Sequence, residues 1–164
     1  MSAIISNSFT TAGSAMVGQN LGAKKYERVP EILKTVAIFS FAITGVLCAV
    51  MLIFPKQVYG AFTSDAAVLA VAGILTAPIV LNFIGSATRS ISFSIINGSG
   101  NTKLNFAVAI IDGIISRIGI SALLGFTFGM ECLGFWYGDS IAGFVPIIIG
   151  MSFYLSGKWK QRRD

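Results

Sequence analysis

Four ionisable residues, Arg89, Asp112, Arg117 and Asp139, lie within or beside stretches that are otherwise free of charge. An ionised side chain at the centre of a hydrocarbon layer costs about 2.5–3.5 kcal/mol even on a forgiving insertion scale, so something must compensate each of them. Two kinds of chemistry are open: ion pairing that holds helices together, or the handling of cations and protons along a path between them. The sequence contains no His, which removes His-based triads, imidazole relays and His-ligated zinc. No residue cluster supports Ser or carboxylate catalysis, so an enzyme ranks third among the classes considered. Gly98–Lys103 is glycine-rich but lacks the spacing of a phosphate-binding loop and reads as a turn. Cys48 and Cys132 have no metal-ligand spacing and read as packing residues; no metal or cofactor is expected.

The elements that must position these charges are long and apolar. Thr35–Phe54 is 20 residues without a charge and Ala66–Thr88 is 23; Leu104–Met130 is interrupted only by Asp112 and Arg117, and Cys132–Gly157 only by Asp139. At about 1.5 Å per residue, ~20 apolar residues cross the roughly 30 Å hydrocarbon core. Backbone polar groups in lipid need internal partners, so only helices or closed barrels span. Spans this long without period-2 alternation select helices. A hydrophobic fraction of 54%, a charged fraction of 12% and a mean hydropathy of +0.78 agree. The expected fold is all-α: a polytopic transmembrane bundle of four full spans and one partial N-terminal helix.

Loop charge orients the bundle. Of 12 Lys and Arg residues, Lys24, Lys25, Arg28, Lys34, Lys103, Lys158, Lys160, Arg162 and Arg163 fall on one side, against Lys56 alone on the other. The positive-inside rule therefore places the C-terminus in the cytoplasm. The net charge of +5 is distributed as topological anchors, with no basic face interleaved with stacking aromatics, so nucleic acid is not an expected partner and the lipid bilayer is.

On a straight helix over Leu104–Phe126, Arg117 falls near mid-depth and Asp112 about 7.5 Å nearer the cytoplasm. Five positions separate them, about 140° around the helix, so each meets a different partner. Structural ion pairing and a cleft-lining role stay open for both. Asp139, placed towards the outer end of the last span, reads as interfacial. Asn82, Ser86, Arg89, Phe93 and Asn97 follow steps of 4, 3, 4 and 4 along one side of a helix. That stripe is either interhelical glue with Arg89 snorkelling to the cytoplasmic interface, or the wall of a substrate path. Ser6, Thr10, Gly13 and Val17, and likewise Ala3, Asn7, Thr11 and Ser14, recur at helical spacing and suit close packing or a cavity lining. Met1–Asn20 is too polar and lacks the basic start of a signal peptide; it reads as the end of a helix whose beginning is missing. Pro78 and Pro146 predict kinks.

Gly18-Gln19-Asn20-Leu21-Gly22-Ala23, followed by Lys24 and Lys25, is a helix end with cations at its carbonyl terminus. Asn97-Gly98-x-Gly100-x-Thr102 breaks the chain between the second and third spans, and Gly134-x-Trp136 opens the last. With these three segments at these intervals, the chain resembles the multidrug and toxic-compound extrusion (MATE) transporters, whose twelve helices form two six-helix lobes. The resemblance implies part of the C-terminal lobe: 1–22 as the end of helix eight, 31–54 as helix nine, 66–97 as helix ten, 104–127 as helix eleven and 132–157 as helix twelve. It implies secondary active export of amphipathic or cationic drug-like compounds from the cell (plasma) membrane, coupled to Na⁺ or H⁺ antiport, with a missing N-terminal lobe as partner. In one branch of the family a carboxylate on helix ten contributes to the cation site, and Ala66–Thr88 has none; Asp112 and Arg117 stand as candidate coupling residues instead, with Asn82, Ser86 and Arg89 as candidate cleft residues. The alternative class is a non-transporting membrane scaffold or subunit.

Overall fold

The computed structural model describes residues 2–160, so Met1, Arg162 and Arg163 lie outside the described residues. The described residues are helical almost throughout. Among the described residues four helices are long and apolar enough to cross a membrane: Tyr26–Ile53, Gly73–Gly98, Thr102–Thr127 and Glu131–Leu155. In the order of the chain, α1 is Ser2–Gly22, α2 Val29–Ile53, α3 the short Pro55–Gly60 and α4 Ala66–Gly98. The next span runs through α5 (Thr102–Ile110), a π-helical stretch Ile111–Ser116, α6 (Arg117–Ala122) and a second π-helical stretch Leu123–Thr127. The last contains α7 (Glu131–Ala142) and α8 (Val145–Leu155).

Local chemistry sets the boundaries. Pro30 sits in the first turn of α2, where a missing N–H costs nothing, and Glu31 follows it. Asn101 caps α5, its side-chain oxygen accepting the Leu104 N–H at 3.1 Å. Gly100 at φ +72° makes the preceding turn in a conformation that costs a glycine little. The sequence predicts one kinked helix over 132–157; the structure instead interrupts it at Gly143–Phe144 and restarts it with Pro146 in the first turn of α8. The reason is the ring of Pro146, which cannot donate to the carbonyl four residues back, that of Ala142, and crowds it.

α4 is the hub, packing on α1, α2, α7 and α8. Gly13 faces Ser94 and Gly98 faces Val17, each so closely that there is no room for a Cβ; at Gly98 it would come within 2.6 Å of Val17. Both partners advance by four residues together, so α1 and α4 run parallel. α7 and α8 also run parallel to α4: Gly85 approaches Gly143, and the Ser92 hydroxyl donates to the carbonyl of Pro146. Antiparallel packing joins α7 to the span before it, where Gly134 rests on Gly125 and Gly138 on Ser121. Small residues at four-residue spacing let backbones approach, which matters in lipid, where the hydrophobic effect supplies no drive between helices. The ends of α1, α4 and α8 therefore share one end of the bundle, the end that carries Lys24, Lys25, Lys103, Lys158 and Lys160. A core of Val17, Leu21, Val29, Ile32, Ile95, Ile96, Val108 and Phe153 fills that end.

Away from that core the interior mixes apolar residues such as Met51 and Phe83 with buried hydroxyls. Ser40 and Ser90 bond to each other at 2.8 Å between α2 and α4, and Ser140 of α7 reaches the Pro78 carbonyl at 2.7 Å. The large apolar side chains of the spans point outward instead: Ile38, Val46 and Leu52 on α2, Ile114 and Ile118 on the third span, Ile148 and Leu155 on α8 are all exposed. An exterior more apolar than its interior is the pattern of a bundle solvated by lipid.

Candidate functional site

The charged residues of the spans meet in two pairs. Arg89 of α4 places Nη2 at 2.6 Å from Oδ2 of Asp112. Arg117 of α6 pairs through Nη1 with Oδ1 of Asp139 on α7, and the other oxygen of Asp139 accepts from Asn82 Nδ2 at 3.2 Å. The depths agree. Arg89 is nine residues before the end of α4 and Asp112 ten after the start of α5, about 13–15 Å from the same end of the bundle at 1.5 Å per residue. This pair is thus near the middle of the spans that carry it.

These geometries correct two expectations. Arg89 does not snorkel to an interface: it turns sideways into the bundle, where Asp112 supplies the compensating charge and the Phe93 ring, 5.4 Å from its guanidinium carbon, supplies a π face. Asp139 is not interfacial either. It lies eight residues into α7, about 12 Å along the helix, at the height where Arg117 stands across the antiparallel contact.

Asp112 and Arg117 do engage different helices, but the segment between them is not the straight α-helix assumed from sequence. Ile111–Ser116 is π-helical; its hydrogen bonds run i to i+5, so positions five apart are drawn towards a common side and the 140° separation no longer applies. π-helical turns are rare and concentrate at functional sites. No compositional signal in Ile-Asp-Gly-Ile-Ile-Ser announces one.

The two pairs border a cavity of about 390 Å³ lined by Ser6 and Asn7 of α1, Asn82, Ser86 and Arg89 of α4, Arg117 and Asp139. The predicted α4 stripe is therefore divided. Asn82, Ser86 and Arg89 face this cavity, Phe93 packs against the apolar core, and Asn97 is exposed. A second cavity of about 260 Å³, lined by Pro78, Phe83, Trp136 and Ser140 among others, shares Asn82 and Asp139 with the first. The burial of the acids differs. Asp112 has a fully buried side chain, and neither of its oxygens accepts a well-angled hydrogen bond, so its contact with Arg89 is one of charge. The Asp139 side chain is 45% exposed, into the cavity. Two guanidinium groups and two carboxylates balance to zero, which makes a polar, formally neutral chamber at mid-depth. Among the described residues no group of three or more Cys, Asp or Glu is arranged to hold a metal ion.

The remaining motif residues are architectural. Gly18 meets the Gly98 carbonyl at a distance that leaves a Cβ only 3.3 Å, so the Gly18–Ala23 and Asn97–Thr102 segments touch each other where α1 and α4 end. Gln19, Gly22 and Ala23 close α1 there, with the Ala23 N–H donating to the Gln19 carbonyl at 3.0 Å.

Parallel and antiparallel apolar helices around a charged chamber define a polytopic helical membrane protein. The sequence profile of the MatE family matches residues 1–123, and the chain belongs to that family. It is 24% identical over 153 residues to the probable multidrug resistance protein NorM of Thermotoga maritima, covering 93% of this chain and 33% of that protein. It is 28% identical over 136 residues to protein DETOXIFICATION 41 of Arabidopsis thaliana, covering 83% and 27%. To multidrug and toxin extrusion protein 1 of Oryctolagus cuniculus it is 25% identical over 153 residues, covering 93% and 27%. The chain thus spans about a third of the length of these relatives or less. No solved structure gives a significant match.

Proposed function

We propose that the chain forms part of a secondary transporter that exports amphipathic or cationic drug-like compounds across the cell membrane in exchange for Na⁺ or H⁺, with the basic end and the C-terminus in the cytoplasm. The carrying observation is the chamber between α1, α4, the π-helical span and α7, in which Arg89, Arg117 and Asp139 line a cavity at mid-membrane and Asp112 lies buried beside it. Charged groups held there at this cost serve transport or assembly. Membership of the MatE family and the names of the multidrug relatives favour transport. Asp112 fits the coupling role best. Its oxygens are shielded from solvent and not saturated with hydrogen bonds, so a proton or a cation changes its partnership with Arg89 directly. Asp139, held by Arg117 and Asn82 and open to the cavity, suits contact with a cationic solute.

The experiment is a chimera in which this chain replaces the matching third of the Thermotoga maritima relative. Dye efflux from inverted vesicles, driven by an imposed Na⁺ or H⁺ gradient, is expected from the chimera and is lost in Asp112→Asn, which keeps the shape and removes the titratable charge. A chimera that inserts in normal amount and moves no dye, or an Asp112→Asn variant that retains gradient dependence, overturns the proposal or its coupling residue respectively.

A further inference from the structure

On the opposite flank of α4 from the charged chamber, a groove of about 440 Å³ runs between α2, α4 and α8. Its walls are apolar for most of their length, from Phe41 on α2 to Ile95 on α4, and where Gly150 of α8 meets Ser92 of α4 the two helices touch with no room for a Cβ. Ile38 on α2 and Ile148 on α8, next to the lining positions, are exposed apolar residues of the lipid-facing surface, and Met151 of the lining is itself partly exposed. The groove is therefore open to the acyl region of a bilayer along its side.

Its chemistry changes at the basic end of the bundle. There the lining includes Lys34, the one charged residue of the groove among the described residues, and Tyr154. Tyr154 stacks on Trp159 with ring centroids 5.6 Å apart, and the Lys160 ammonium lies 5.4 Å from the Trp159 ring. Tyr26 meets Trp159 edge-on, with ring centroids 6.5 Å apart. Tyr and Trp clusters mark the headgroup level of a membrane, and cations at that level between spanning helices recognise anionic headgroups. An apolar slot that ends in a lysine, with a second lysine on the adjoining aromatic cluster, matches one ligand in both halves: an anionic phospholipid.

We infer that this groove is a phospholipid site, with one acyl chain lying between α2, α4 and α8 and an anionic headgroup drawn to Lys34 and Lys160. The glutamate one turn before Lys34, Glu31, is exposed and does not line the groove. The site is distinct from the charged chamber, and the inference does not rest on the chain's being a transporter.

Trp159 is buried and does not itself line the groove, but it stacks on Tyr154, which does, and so provides a short-range readout. In a Trp136→Phe background it is the single tryptophan of the chain. Vesicles of phosphatidylcholine are doped with either phosphatidylglycerol or phosphatidylcholine carrying brominated chains, and quenching of Trp159 is followed against the fraction of brominated lipid. The anionic lipid is expected to quench at lower mole fraction. Lys34→Gln is expected to reduce that preference about fivefold, the effect of one lysine at an anionic surface, while Lys103→Gln, which changes a cation on the next loop, leaves it in place. Equal quenching by the two lipids in the parent chain, or an unchanged preference in Lys34→Gln, overturns the assignment. Absence of quenching by either lipid, accompanied by a dimeric mass in detergent, gives the groove to a second copy and overturns it too.

Discussion

Arg89 and Asp112 stand 2.6 Å apart on helices that run in opposite directions, and each is the charge that makes the other tolerable at mid-membrane. Their positions on the chain match from the same end of the bundle, so the pair fixes the vertical register of α4 against the π-helical span.

Removing Arg89 is therefore expected to do more harm than removing Asp112. Arg89→Ala leaves a fully buried carboxylate uncompensated, at a cost of about 3–5 kcal/mol, and should lower the amount of monodisperse protein recovered in detergent. Asp112→Asn leaves a partly exposed guanidinium that still faces Phe93 and the cavity, and should be recovered in near-normal amount. The double change Arg89→Met with Asp112→Leu removes both charges and should restore recovery, as replacement of buried pairs by apolar residues often does. Equal recovery of Arg89→Ala and the parent would show that the pair has no structural role.

The second pair should respond more weakly. With Arg117 gone, Asp139 keeps the Asn82 amide and its opening to the cavity, whereas Asp112 without Arg89 is fully buried, so Arg117→Ala should cost less than Arg89→Ala. Thermal unfolding in detergent, followed by fluorescence-detected size exclusion, ranks the two arginine variants; the expected order is Arg89→Ala well below Arg117→Ala. The reverse order contradicts the burial argument.

Helix contact between α1 and α4 depends on the absence of side chains. A methyl group added at Gly13 collides with Ser94 and Val36, and one added at Gly98 collides with Val17. Gly13→Leu should separate the helices, destabilising the bundle by about 1–3 kcal/mol or more, whereas Gly45→Leu, at a site with nothing within 4 Å, should be close to neutral. Recovery and melting temperature of the two variants provide the comparison.

Orientation is tested at the ends. A reporter active only outside the cytoplasm, fused after the last residue, is expected to be silent, and the same reporter in the Thr63–Asp65 connection is expected to be active, because Lys56 is the single basic residue on that side. An active C-terminal fusion reverses the topology.

The spans were legible because a bilayer demands about 20 apolar residues per crossing, and four stretches met that demand. The importance of Asp112 and Arg117 was legible for the same reason, since a charge amid Ile and Gly has no bland explanation in lipid. Their partners were not. Pairing depends on depth and azimuth together, and the azimuth of Arg117 is altered by a π-helical turn that no residue type advertises. Depth along its own span is nearly the same in sequence and structure for Asp139 and, taken alone, reads as interfacial; the match to Arg117 emerges only when the two antiparallel helices are laid side by side. The small residues were readable in a general way as packing positions, yet the register they impose, Gly13 on Ser94 and Gly98 on Val17, belongs to the tertiary structure.

Arg117–Ala122 lies between two π-helical stretches, Ile111–Ser116 and Leu123–Thr127, and this placement makes the hexapeptide a dial. Each widened turn stores one residue beyond what an α-helix of that height needs. Were that surplus to pass from one stretch to the other, the hexapeptide would turn by about 100°, one residue's worth of helical rotation, and Ser121 would leave its close backbone contact with Gly138. Such a turn would swing Arg117 away from Asp139 and break the Ser121–Gly138 contact in the same movement. A spin label at Ile118, exposed on that hexapeptide, would register the rotation as two distances to a fixed label on α7, and a single sharp distance under all ionic conditions would show the dial to be locked.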